Sequence, residues 1–226
     1  SEAVVFQDFD PAGATATGYG SDFRGENADY GRVVQLKASD PQDEYNFTPG
    51  IFFPWRLPVD PNQGECETGG GGSQDAGGAT YRRNICQCNN SPIALNQPYD
   101  LEPGNMIGPT AQGIDELVGL DPDVYWEPSA NGGAGGPARP NPDAPNGWED
   151  IGTASPRVIK IALFDPGQIT SSGMQSIEFN NFALMFLEGQ QNPQAPVIAR
   201  FMYFAGGEGS EGPASGSLVR FLRLVE

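Results

Sequence analysis

"SIEFNNFALMFLEG" (Ser176 to Gly189) and, a few residues on, "PVIARFMYFAG" (Pro196 to Gly206) decide how this chain folds. In the first segment Ile177, Phe179, Asn181, Ala183, Met185 and Leu187 share one face, while Phe182, Leu184 and Phe186 take the other. In the second, Val197, Ala199, Phe201 and Tyr203 alternate with Ile198, Arg200, Met202 and Phe204. A period of two is the repeat of a β-strand, and apolar residues on both faces mark a strand covered on both sides. "RVIKIALFDP" (Arg157 to Pro166) and "GSLVRFLRLVE" (Gly216 to Glu226) add two more strands. The last third therefore reads as four strands separated by Gly/Pro loops and paired antiparallel.

Towards the N-terminus the strand signals thin out. "AVVFQDF" (Ala3 to Phe9) and Val33 to Lys37 within "DYGRVVQLKA" are β-branched and apolar enough for strands. "NFTPGIFFPWRLPV" (Asn46 to Val59) is broken by Pro49, Pro54 and Pro58, so it reads as an edge or extended segment whose Phe52, Phe53 and Trp55 plug the core. "TYRRNICQCN" (Thr80 to Asn89) is undecided between helix and strand. "ETGGGGSQDAGG" (Glu67 to Gly78) and residues 127 to 150 are loop by composition, the second without a core former until Trp148.

One short helix is expected inside "PGNMIGPTAQGIDELVGLDPDVYW" (Pro103 to Trp126). Thr110 is placed to cap it, and Ile114, Leu117 and Val118 form one apolar stripe. Asp121-Pro122 ends it, because the residue before proline is pushed out of the α region. Asp115 and Glu116 point outward, and Tyr125-Trp126 caps the core. The expectation is a mainly β, α+β domain: an antiparallel sheet or sandwich with one or two short helices and long Gly/Pro-rich loops. It spans 1–226, with a subdivision into a loop-rich half at 1–126, a loop at 127–150 and a strand half at 151–226. The 31 Gly and 21 Pro, about twice average usage, fit this and disfavour a helical protein.

Charge and side-chain inventory limit the chemistry. A formal net charge of -17 repels nucleic acid and anionic membrane surfaces. With His 0, neither a Ser-His-Asp nor a Cys-His constellation can be built, and imidazole-ligated zinc chemistry is excluded. Cys86-Gln87-Cys88 does not easily bridge itself, so Cys66 is expected to pair with Cys86 or with Cys88. A three-thiolate metal site is the sharper alternative, but it lacks a fourth soft ligand, and no metal ligand set is assigned. A disulfide implies an oxidising compartment. No signal peptide or membrane span is visible, and direct membrane insertion by this segment is not expected.

The ordered series Pro103-Gly104-Asn105, Gly108-Pro109-Thr110, Gly113, Asp121-Pro122 and Trp126, with "GRVVQLKA", "FTPGIFF", "VIKIALFDP", "FNNFALMFLEG" and "VIARFMYF", resembles the exported C-terminal region of TadG-like proteins. These are TadE/TadG-type pilus-assembly proteins of bacterial tight-adherence (Flp pilus) systems. The likeness runs from about residue 31 to the end. It implies a non-enzymatic role at the cell surface or in the periplasm, among other protein subunits, with an anchoring segment lying outside this chain. It supplies no catalytic residues and no cofactor.

Two readings of other classes stand beside it. A secreted calcium- or glycan-binding adhesin would use acidic runs such as "DFDP" (Asp8, Asp10), "SDPQDE" (Asp40, Asp43, Glu44) and "DPDVYW" as oxygen ligands for Ca2+. A two-carboxylate glycosidase would stack sugars on Trp55, Tyr125 and Trp126, but spacing nominates no acid pair. Self-association is a further expectation, with the N-terminal strand adding to a neighbouring subunit's sheet edge.

Overall fold

The computed structural model describes residues 3–4, 30–37, 54–58, 60–66, 77–87, 89, 91, 93–94, 96–102, 106–163, 176–179 and 181–205. In chain order the elements are β1 (Ala3–Val4), β2 (Val33–Lys37), α1 (Gly78–Cys86), β3 (Pro98–Asp100), α2 (Ile107–Gly119), β4 (Tyr125–Glu127) and α3 (Ala130–Gly133). There follow β5 (Gly136–Pro140), β6 (Trp148–Asp150), β7 (Val158–Leu163), β8 (Ser176–Glu178), β9 (Asn181–Gly189) and β10 (Val197–Ala205).

The main sheet has the order β1-β7-β9-β10-β2 and is antiparallel except where β1 runs parallel to β7. β9 lies at its centre, and this is why its sequence is apolar on both faces. On one face Ala183, Met185 and Leu187 join Val34, Leu36, Ile161, Val197, Ala199 and Phe201 beneath Ile114 and Leu117 of α2, with Val118 and Ile85 packed alongside. On the other face Leu184, Phe186 and Met202 meet Val124, Trp126 and Ile151. Phe182 and Ala162 meet a third cluster of Trp55, Leu57, Ile177 and Phe179. The fold is thus mainly β, α+β in class, with α1 and α2 on one face of the central sheet and two small sheets, β3-β8 and β4-β5-β6, serving the other.

Three local expectations need correction. Ser176 to Gly189 is not one strand: β8 pairs with β3, and β9 starts afresh in the main sheet. Ile177 and Phe179 consequently bury with Phe182, not with Met185, because Trp55 and Tyr99 offer them an aromatic pocket with Trp55 4.5 Å from Phe179 between ring centroids. Residues 127–150 are not a long loop: β4, β5 and β6 form an antiparallel sheet whose Ala138 is fully buried. The composition concealed it because small residues, Ala130 and Ala138, fill the interior positions. Third, α2 starts three residues before Thr110, and Pro109 lies in its first turn, where a missing N–H costs nothing.

Trp55 does plug the core, at 2% exposure, and bridges to Leu101. Ala3–Val4 pair with β7 of their own sheet. The rest of the N-terminal strand expectation, Phe52 and Phe53, the 67–76 loop and the strand at 216–226 lie outside the described residues.

Candidate functional site

The most elaborate side-chain arrangement lies where α1 and α2 run side by side in the same direction. At their starts, a Cβ on Gly78 would come 2.9 Å from Pro109 Cγ. Midway, Arg82 donates to Gln112 Oε1 at 3.1 Å, and a Cβ on Gly113 would lie 2.8 Å from Ile85 Cβ and 3.1 Å from the Arg82 carbonyl oxygen. Gly113 is therefore the point of closest approach, and its lack of a side chain sets the helix separation. Thr110 is fully buried. It is not a cap: Met106, with φ 46, precedes the helix, and Thr110 Oγ1 donates back to the Met106 carbonyl at 2.7 Å. Gly108 faces open space.

Both ends of α1 are anchored. At its start, Gly77 N–H donates to the Glu102 carboxylate at 3.2 Å, placing negative charge where the helix macrodipole favours it. Arg56 pairs with the same carboxylate at 3.1 Å, and that hydrogen bond, with the charge of Glu102, raises the Arg56 pKa. At the other end, Cys86 is bonded to Cys66 with Cα atoms 6.0 Å apart. This resolves the choice between Cys86 and Cys88 as the partner of Cys66; Cys88 lies outside the described residues. Gln63 Nε2 caps the exit by donating to Asn84 Oδ1 at 3.0 Å and the Gln87 carbonyl at 3.3 Å. Arg83 pairs with Glu65 at 3.1 Å.

Glu116 does not simply face solvent. It is half-buried, and one carboxylate oxygen and the two sulphurs of Cys66 and Cys86 all lie within 4.8 Å of one another. Among the described residues this is the one group of three potential metal-ligating side chains. Asp115, by contrast, is exposed as expected.

Beyond α2 the chain turns at Asp121 and crosses to the opposite face of the sheet, ending in Trp126. Arg157 holds this crossing. Its guanidinium donates to the carbonyls of Leu187 (3.0 Å), Val124 (2.5 Å), Glu188 (3.1 Å) and, more weakly, Asp121 (3.4 Å). It also sits 4.9 Å over the Phe186 ring. Burial pushes its pKa below the usual arginine range, opposed by the charges of Asp121 and Glu188; it remains a cation. Asp121 itself pairs with Arg139 at 2.8 Å, so this member of the "DPDVYW" run is already engaged by a cation. Pro122 is exposed.

Trp126 is half-buried between Tyr30, Phe186 and the Arg200 guanidinium, 5.5 Å from its ring centroid. Gly135, at φ 86, lets the chain pass beneath the indole: a Cβ there would fall 2.5 Å from Nε1. Trp126 thus caps the core, whereas Tyr125 stays 37% exposed. Of the three aromatics considered for sugar stacking, Trp55 is buried and Trp126 is walled in by these neighbours.

The structure brings Thr110 and Gly113 to one helix interface, Cys66 and Cys86 to its end, and Asp121 and Trp126 to the crossing. Pro103, Gly104 and Asn105, like Asp8, Asp10, Asp40, Asp43 and Glu44, lie outside the described residues. Arg157, Glu102 and Glu116 carry structural weight that sequence reasoning missed. For Arg157 one signal existed: an arginine opening an apolar strand in a chain with only 12 basic residues. No helix among the described residues is long and apolar enough to cross a membrane. No protein-family model, no curated protein and no solved structure matches this chain.

Proposed function

We propose that this chain is a non-enzymatic structural and interaction component of a bacterial surface pilus of the tight-adherence type, or of its assembly apparatus. It acts among other protein subunits, after export to the periplasm or cell surface, and not on nucleic acid. The observation that carries the reading is how residues 106 to 126, the described part of the stretch on which the resemblance rests, spend their side chains. Thr110 and Gly113 are used in helix packing, Asp121 in an ion pair and Trp126 in capping the core. The Cys66–Cys86 disulfide is compatible with an oxidising, exported environment.

The test is fractionation of the source cells, following the chain by mass spectrometry through its N-terminal and cysteine-containing peptides. Recovery with sheared surface filaments, or with the envelope fraction behind an upstream hydrophobic segment, is the expected result. Recovery only as free protein in the medium would overturn the reading and favour an adhesin or an enzyme.

A further inference from the structure

We infer that the Cys66–Cys86 disulfide is the oxidised form of a Zn2+ site completed by Glu116. Three observations converge on it. A Glu116 carboxylate oxygen lies within 4.8 Å of both sulphurs, which the disulfide itself holds together, and both cysteines are buried. Tetrahedral zinc with bonds of about 2.3 Å to sulphur needs thiolates about 3.8 Å apart, a separation that the 6.0 Å between the two Cα atoms accommodates through side-chain rotation. Finally, α1 ends at Cys86 and Glu116 lies in the last turn of α2. The negative ends of two parallel helices therefore meet at this point; α2 brings no basic residue to its last turn, and Arg83 in the last turn of α1 is paired with Glu65. That is where a carboxylate is disfavoured and a cation is favoured.

The chemistry balances with a dithiol as reductant. The dithiol closes to its own disulfide and passes two electrons and two protons to Cys66–Cys86. Zn2+ then displaces both thiol protons and binds two thiolates and one carboxylate, with water in the fourth position. Metal and disulfide are mutually exclusive at the same sulphurs, so the end of the helix pair is fastened by zinc under reducing conditions and by a covalent bond under oxidising ones.

The experiment uses the full chain carrying Cys88→Ser, which leaves only the two relevant thiols. The protein is reduced with a dithiol, freed of it by gel filtration under nitrogen, and titrated with Co2+ and then with Zn2+ in competition. One cobalt per chain is expected, with the visible bands of a tetrahedral ion and a thiolate charge-transfer band. Zinc should abolish both. Glu116→Gln should weaken binding at least about tenfold, and Asp115→Asn, its exposed neighbour, should leave it unchanged. The oxidised protein should bind none. Equal affinity in the Glu116→Gln protein, octahedral cobalt, or binding to the oxidised chain would each overturn the proposal. Glu116→Gln keeps the shape of the side chain, and a circular dichroism melt of the reduced proteins separates lost affinity from lost fold.

Discussion

Replacing Arg157 with methionine removes the hydrogen bonds by which its side chain ties the α2–β4 crossing to the end of β9. Two of its hydrogen bonds, to the carbonyls of Leu187 and Val124, are buried and short, and a third reaches the Glu188 carbonyl at the margin. Leaving a buried polar group without its partner costs about 1–3 kcal/mol. Methionine recovers part of this by sparing the desolvation of a cation and by filling apolar space. The expected net loss is about 3 kcal/mol, within a range of about 2–5 kcal/mol, against a total stability on the order of 5–15 kcal/mol. For a chain of this length that lowers Tm by roughly 6–12 °C. Arg157→Lys tests the geometry separately. A lysine keeps the charge but cannot reach carbonyls on both sides with a planar fork, so it should restore less than half of the loss. Urea denaturation of the three proteins, oxidised and at one pH, measures this directly. A methionine variant within about 0.5 kcal/mol of the parent, a change typical of unconstrained surface sites, or full rescue by lysine, would refute the reasoning.

The glycines of α2 give a paired prediction. Gly113→Ala should destabilise by about 1–2 kcal/mol in urea denaturation, because overpacking against Ile85 and the Arg82 carbonyl outweighs better helix propensity, whereas Gly108→Ala, facing open space, should stabilise by a few tenths. Cys66→Ser, made together with Cys86→Ser, should lower stability by about 3 kcal/mol, the chain-entropy value for a crosslink spanning 20 residues. Glu127 accepts hydrogen bonds from the Ser129 hydroxyl and from Ser129 N–H, and these hold its pKa below the ordinary glutamate range. The sign follows: the turn is held above the ordinary glutamate pKa and loosens as pH falls through the lowered one. An NMR titration should show Glu127 returning towards the ordinary value in Ser129→Ala.

How much of this was legible depended on whether a residue's role is periodic. β9 and β10 announce themselves because alternating burial writes a two-residue repeat, and Ile114, Leu117 and Val118 write the helical one. The break at Phe179 is invisible to such counting, since Phe179 and Phe182 find the same aromatic cluster only after the chain has changed sheets. The β4-β5-β6 sheet was hidden because its interior is alanine and its turns are Gly- and Pro-rich, a composition shared with loops. Glu116 looked like surface because nothing in the order of residues reports that Cys86 lies beside it. The partner of Cys66 was narrowed to two candidates by the strain of a Cys-X-Cys bridge and could be chosen only in three dimensions.

The order of strands in the main sheet also sets a timetable. β2 pairs with β10, and the Arg200 side chain bonds the Gly31 carbonyl across 169 residues. At about 5–20 residues per second, synthesis of that interval takes on the order of ten to thirty seconds. Throughout it Val34 and Leu36 lack the strand against which they are buried in the finished sheet. The α1–α2 pair, by contrast, needs only contacts within about forty residues and can assemble early, its crosslink closing once the chain meets an oxidising compartment. A chain part-way through synthesis therefore holds α1 against α2 while β2 still waits for its partner strand, and any factor that shepherds this protein would meet it in that half-built form.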